Sequence, residues 1–401
     1  MKVAILYNRL FEFDGTALSI GGIQTYLMRL AELIIDLDWE PVIFQLGDSD
    51  FEREVGQVKI IGKSGIPLDS AATDIGVFLT KQAENWIADG KAIIIYGSDS
   101  YFSNSVSKSI AIQHGVAWDL PGTYSSGAPV KLMRILPSCY HGTAQGLIKK
   151  FRGSRLNQLR RTWIATGSED SQKHKAIRFM VCVDYNYLNA LKAQNKVINA
   201  RTWIIPNFAE LARPEEIAGR SKGAKPIRIL FARRFVWYRG TRLIAPVFKR
   251  ILNAYTDVCI TFAGDGPDES WLREYFIASD RVTFLKYRHD ESANQLLSHD
   301  IAVIPSLGSE GTSLSAIEAM ASGCAVVATC VGGLTNIIID GYNGKLVIPE
   351  EDELYEALYK VITDGELRHR LAERAYATVK ESLSIDIWQE KWRRVLLHVT
   401  Q

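Results

Sequence analysis

Three observations in this sequence predict an α/β protein of two Rossmann-like, doubly wound domains facing each other across a cleft. The chain has 401 residues and is 47% apolar, two to three times the length of a typical single domain and apolar enough for two cores. Short apolar runs of four to eight residues alternate with longer stretches of helical period, as in parallel sheets covered by helices on both faces. That alternation stops once, between residues 209 and 225, and then starts again.

In the first half, "VAILYN" (Val3 to Asn8) reads as a strand. A helix follows, with Ile23, Leu27, Leu30, Ile34 and Leu37 on one face. "PVIFQL", "AIIIYG" and "SIAIQHG" are further buried strands, and "IRFMVCVD" and "TWIIPN" flank the helix "NYLNALKAQ". The polar, Pro- and Gly-punctuated stretch 209–225 carries neither periodicity and marks a linker. The second series is "IRILFARR", "VCITFAG", "VTFL", "IAVIPS", "AVVATC" and "GKLVI". Three helical stretches then follow without a strand, and the last places Ile385, Trp388, Trp392, Leu396 and Val399 on one stripe. The expected domains are therefore residues 1–208 and 226–383, with helix 384–401 packing outside its own sheet.

Composition narrows the function classes. A formal net charge of +2 argues against a chain whose main task is coating a nucleic-acid backbone. No apolar run reaches the roughly 18 residues that cross a bilayer, and "MKVAILYNRL" has too short an apolar core for a signal peptide. A soluble, cytoplasmic chain is the expectation. Five scattered cysteines without CxxC spacing point to reduced thiols rather than a disulfide frame or a zinc site.

Ligands of such folds bind at the carboxyl ends of the strands, so candidates are sought there. Gly21-Gly22 opens the first helix, where free N–H groups favour an anion, although a plain turn would read the same. His114-Gly115 ends a strand. Arg233 and Arg234 end another, and Arg239 precedes Gly240 at a helix start, where an anion would relieve the crowding of positive charge. In "EGTSLSAIEAMASG", Glu310 and Glu318 flank a helix start. Ser315 and Glu318 match a capping box. If the helix instead begins near Thr312 or Ser313, carboxylates lie on either side of a seat for phosphate. "FAGDGPD" and Gly332-Gly333 are further glycine turns, and Asp265 and Asp268 leave a metal open without requiring one.

The run "SEGTSLSAIEAMASGCAVVATCVGGLTNIIIDGYNGKLV" resembles the donor-binding signature of retaining GT-B glycosyltransferases, most closely glycosyltransferase family four. "ILFARRFVWYRG", "FAGDGP", "IIPN", His114-Gly115 and Gly21-Gly22 extend that resemblance over most of the chain. It implies transfer of a hexosyl group, with retention, from a nucleoside diphosphate sugar, by default UDP-linked, to a glycan or lipid-linked hydroxyl. No other cofactor and no metal is implied. Glu318 would hold the ribose and Glu310 the donor sugar. Arg234 and Arg239 would grip the diphosphate, aided by Gly22 and by the backbone of Gly311, Thr312, Ser313 and Leu314. His114 would lie near the anomeric centre, and the base against the loop around Tyr287 and Arg288. Other GT-B enzymes, such as an epimerase, and a silent nucleotide-sugar-binding subunit are the alternatives.

The sequence departs from the family pattern at three places. Arg233 replaces a frequent glycine and would either face solvent or crowd the phosphate, Arg239 replaces a common lysine, and Asn336 replaces a usual glutamate. On the acceptor side, residues 105–175 hold eleven Lys and Arg against three acids. Within them "GLIKKFRGSRLNQLRR" carries a basic segment, 147–161, that would suit contact with an anionic membrane face, or be a solvated helix face. The loop from Arg9 to Ile20, with Phe11, Phe13 and Asp14, is a second candidate for acceptor contact.

Overall fold

The computed structural model describes residues 1–19, 21–88, 91–103, 108–115, 177–193, 200–218, 226–286, 292–308 and 310–401. The first sheet is built from β1 (Lys2–Leu6), β2 (Glu40–Leu46), β3 (Phe51–Val55), β4 (Val58–Lys63), β5 (Ala92–Tyr96), β6 (Lys108–Gln113), β7 (Phe179–Cys182) and β8 (Arg201–Ile204). Its order is β3-β4-β2-β1-β5-β6-β7-β8. Every pairing is parallel except β3 with β4. The second sheet contains β9 (Ile227–Ala232), β10 (Val258–Ala263), β11 (Val282–Leu285), β12 (Ile301–Ile304), β13 (Ala325–Thr329) and β14 (Lys345–Val347). It is wholly parallel, in the order β11-β10-β9-β12-β13-β14.

The apolar runs are continuous because both faces of each sheet are covered. Along β1, Val3 and Ile5 enter one core while Ala4 and Leu6 enter the other. Along β9, Ile229 and Phe231 face one core and Leu230 the opposite one. The hairpin β3-β4 is the element the apolar reading passes over. Its edge strand "FEREV" is largely exposed and charged, a composition that blocks further pairing at an open edge.

The expected linker lies among the described residues as far as residue 218. Pro214–Ala218 forms a short helix, and Ala209 is bonded on both sides to the segment entering the last helix. Its N–H donates to the Leu383 carbonyl and its carbonyl accepts from the Ile385 N–H, each at 3.1 Å. The two chain crossings between the domains are thus hydrogen-bonded to each other. The last helix (Ile385–Thr400) buries Trp388, Trp392, Val395, Leu396 and Val399 in the same core as Tyr26, Leu27 and Leu30 of the first domain.

Candidate active site

Both sheets have a switch point where chain order reverses: β1 in the first, and the β9/β12 pair in the second. Strand ends on either side of such a point diverge and leave a crevice. Arg233 follows β9 and Glu310 follows β12, so these side chains come from the two walls of the second crevice.

There they meet. Glu310 is 3% exposed, and its Oε1 is paired with Arg233 Nη2 and Arg239 Nη1. Ser306 donates its hydroxyl to the same oxygen at 2.5 Å and accepts from Arg233 Nη1 at 2.7 Å. Burial pushes the Glu310 carboxyl up, but the charges of Arg233 and Arg239 and the bonds from Ser306 and Arg233 bring it below its ordinary value. Burial first, and then the charge of Arg239, pull Arg233 down despite Glu310. Two cations thus share one buried anion.

This placement revises the reading of the arginines. Arg233 neither faces solvent nor stands free in the phosphate seat, because its side chain is 6% exposed and committed to Glu310 and Ser306. Arg239, at 25%, lies on the same carboxylate, whereas Arg234 is exposed.

The helix after Glu310 spans Leu314–Ala321, with Ser313 as N-cap making no side-chain cap bond. Ser315 is therefore inside the helix and the capping box does not form. The N-terminal groups of Gly311 to Leu314 are held against the first domain. Thr312 donates its hydroxyl to the Val183 carbonyl at 3.0 Å and accepts from the Asn207 N–H at 2.8 Å. Asn207 Nδ2 donates to the Thr312 carbonyl at 2.5 Å.

Backbones from three loops stack here. A Cβ on Gly115, whose φ is +117°, would lie 2.7 Å from the Gly311 nitrogen, and one on Gly333 would lie 2.3 Å from the Gly311 carbonyl carbon. Only glycine permits this approach. Gly21 is the N-cap of the helix Gly22–Ile35, and Gly22 faces Leu314, with 3.0 Å between a built Cβ and Leu314 Cδ1. Asn186 adds a further tie between the domains, donating to the Gly332 carbonyl at 2.6 Å.

His114 follows β6. Its Nε2 lies 2.8 Å from the Gly97 carbonyl, which can only accept, so Nε2 carries the proton and Nδ1 is the acceptor. Burial pushes the imidazole down from 6.5 to about 4, so it is neutral at pH 7. Its ring meets Tyr26 edge-on at 5.1 Å.

Glu318 is half-buried. Tyr287, Arg288 and the basic segment 147–161 lie outside the described residues. Asp268 is engaged structurally, accepting from Thr241 and, at 3.0 Å, from Arg242 Nη2. In the Arg9 to Ile20 loop, Phe11 is a core residue, bridged to Leu18. Asp14 accepts from the Thr16 N–H at 2.9 Å. Ser306 was missed; it lies at the end of the recognised strand "IAVIPS", four residues before Glu310, which is the signal that could have found it.

Residues 212–378 match the family model described as glycosyl transferases group 1. The sequence is 22% identical over 369 residues to a phosphatidyl-myo-inositol mannosyltransferase from Mycolicibacterium smegmatis, covering 88% of this chain and 84% of that protein. The chain resembles the family-four glycosyltransferases of GT-B fold. It is also 31% identical over 225 residues to the gpi3 subunit of a Schizosaccharomyces pombe phosphatidylinositol N-acetylglucosaminyltransferase. That match covers 53% of this chain and spans about half of that relative, 47% of its length. In fold, this GT-B chain superposes on sucrose-phosphate synthase from Thermosynechococcus elongatus with a TM-score of 0.73 at 16% identity, over 99% of this chain and 98% of the other. An Anabaena protein solved with UDP and glucose gives 0.65 at 13% identity, over 99% and 100%.

Proposed function

We propose that this protein is a retaining glycosyltransferase that moves a hexosyl group from a UDP-sugar to a hydroxyl of a glycan or glycolipid acceptor. The observation that carries the reading is the meeting of Arg233, Arg239 and Glu310 beside the Leu314–Ala321 helix start, at the seam of two switch-point crevices. As the glycosidic bond breaks, negative charge grows on the departing diphosphate. Cations and helix-start N–H groups brought to bear there lower the barrier electrostatically, and this requires no metal. Arg234 and Arg239 meet the diphosphate, Glu310 accepts from the donor sugar, and Glu318 accepts from the ribose. His114, neutral with Nδ1 as acceptor, serves as a hydrogen-bonding group near the anomeric centre rather than as an acid.

The names of the mannosyltransferase and of the gpi3 subunit's enzyme both specify phosphatidylinositol-type acceptors. This supports a lipid-linked acceptor and a place in cell-surface glycolipid or polysaccharide synthesis, met at the cytoplasmic face of a membrane. Among the described residues no helix is long and apolar enough to cross one, and the contact we propose is peripheral. A panel of nucleotide sugars, scored for binding and nucleotide release with Glu310→Ala, Glu318→Ala and Arg234→Ala as controls, tests the reading. It fails if no sugar nucleotide binds, or if all three variants behave as wild type.

A further inference from the structure

The triad holds one more cation than its buried anion requires, and its two arginines are held differently. Arg233 extends directly from the end of β9, is 6% exposed, and forks across Glu310 and the serine that orients it. Arg239 sits in the short turn Trp237–Arg239, is 25% exposed, and lies over the Tyr238 ring at 5.2 Å. Both bonds fall on the same oxygen, Oε1, together with that of Ser306. A carboxylate oxygen has two lone pairs, so three donors there are one more than it needs.

We propose that Arg233 is a positioning residue that keeps Glu310 compensated, so that Arg239 can transfer from Glu310 to the diphosphate of an arriving donor. The inference rests on the glycosyltransferase reading above. In a site with glycine at position 233, moving the lone cation onto phosphate would leave the carboxylate buried and unpaired, which is strongly unfavourable. Here the acid retains one guanidinium and Ser306, stays ionised, and remains available to the sugar. The extra positive charge is neutralised by the anion itself. Arg239 thereby acts on the leaving group, while Arg233 acts only through Glu310.

The test is calorimetric titration of the full-length protein with inorganic pyrophosphate, in buffers of differing ionisation enthalpy so that protons are counted. Wild type binds without taking up a proton at Glu310 between pH 6.5 and 8. Arg233→Gln binds roughly tenfold or more weakly, takes up about one proton more than wild type, and regains affinity as pH falls, because Glu310 must now be neutralised when Arg239 leaves. Arg233→Gln with Glu310→Gln binds close to wild type with no extra proton. Arg233→Lys keeps the charge but not the fork; it binds between wild type and Arg233→Gln and takes up no extra proton, which serves if Arg233→Gln does not fold. Wild-type-like affinity and proton count in Arg233→Gln, or an extra proton taken up by Arg233→Lys, overturns the proposal alone. Failure of wild type to bind either pyrophosphate or UDP overturns the glycosyltransferase reading as well.

Discussion

Trp392 donates its indole N–H to the Tyr26 hydroxyl at 2.8 Å, joining the last helix of the chain to its first helix across 366 positions. Both side chains are buried, and Tyr26 also meets Trp388 edge-on at 5.0 Å and His114 at 5.1 Å. The tail is therefore a wall of the first domain's core, one ring away from the candidate site. Trp392→Ala is expected to cost about 3 to 5 kcal/mol. Trp392→Phe, which loses chiefly the bond, is expected to cost about 1 to 2 kcal/mol. Urea unfolding of the two variants, followed by tryptophan-independent circular dichroism, checks the order and the sizes.

Gly115→Ala places a methyl group against the Gly311 backbone at a residue whose φ already disfavours a side chain. The clash lies between domains, so the variant is expected to fold with an open cleft. Small-angle scattering with a larger radius of gyration and a fall of roughly tenfold or more in kcat/KM are the expected results. Unchanged scattering and activity would show that closure does not need this contact.

Acid should destabilise the protein in a window set by His114. The folded imidazole titrates at about 4 against an ordinary 6.5, so between those values the unfolded chain binds more protons. Stability is then complete above about 6.5 and is lost as pH falls toward 4. The shift corresponds to at most about 3 kcal/mol, and the partial exposure of the residue reduces it. His114→Gln removes this contribution, so the difference in Tm between variant and wild type should shift in favour of the variant across the window.

Ser315→Ala should leave stability within about 0.5 kcal/mol, because Ser313 rather than Ser315 is the N-cap. Glu318→Ala should instead raise the donor KM while leaving pyrophosphate affinity within about twofold, since it is assigned to the ribose. Competition binding with UDP and with pyrophosphate separates the two; equal losses for both ligands would remove Glu318 from the ribose.

Arg234 is exposed while Arg233 is buried, and adjacent arginines should therefore fail in different ways. Arg234→Ala should change stability by no more than about 0.5 kcal/mol and weaken UDP binding. Arg233→Ala should reduce thermal stability as well, by roughly 1 to 2 kcal/mol, because the bonds of Arg233 to Glu310 and Ser306 are lost while Arg239 still compensates the carboxylate. Thermal melts with and without UDP check both.

The six strands of the second domain, the alternation of the first and the apolar stripe of the last helix were legible in the sequence, because burial on both faces demands continuous apolar runs and a helix demands its own period. The charged edge hairpin at Phe51 to Lys63 was not, since its exposed strand carries no apolar signal. Chemistry at single positions was only half legible. Glu310 and Glu318 stood out as acids in an apolar run, and Arg239 as a cation at a helix start. That Arg233 turns inward depends on contacts across 73 and 77 positions, and that Gly115 meets Gly311 on one across 196, whereas Ser306 lies only 4 positions before the acid it orients and Gly333 only 22 after Gly311. Local pattern records what a segment must bury; only the packed chain decides which charge shares its burial with which.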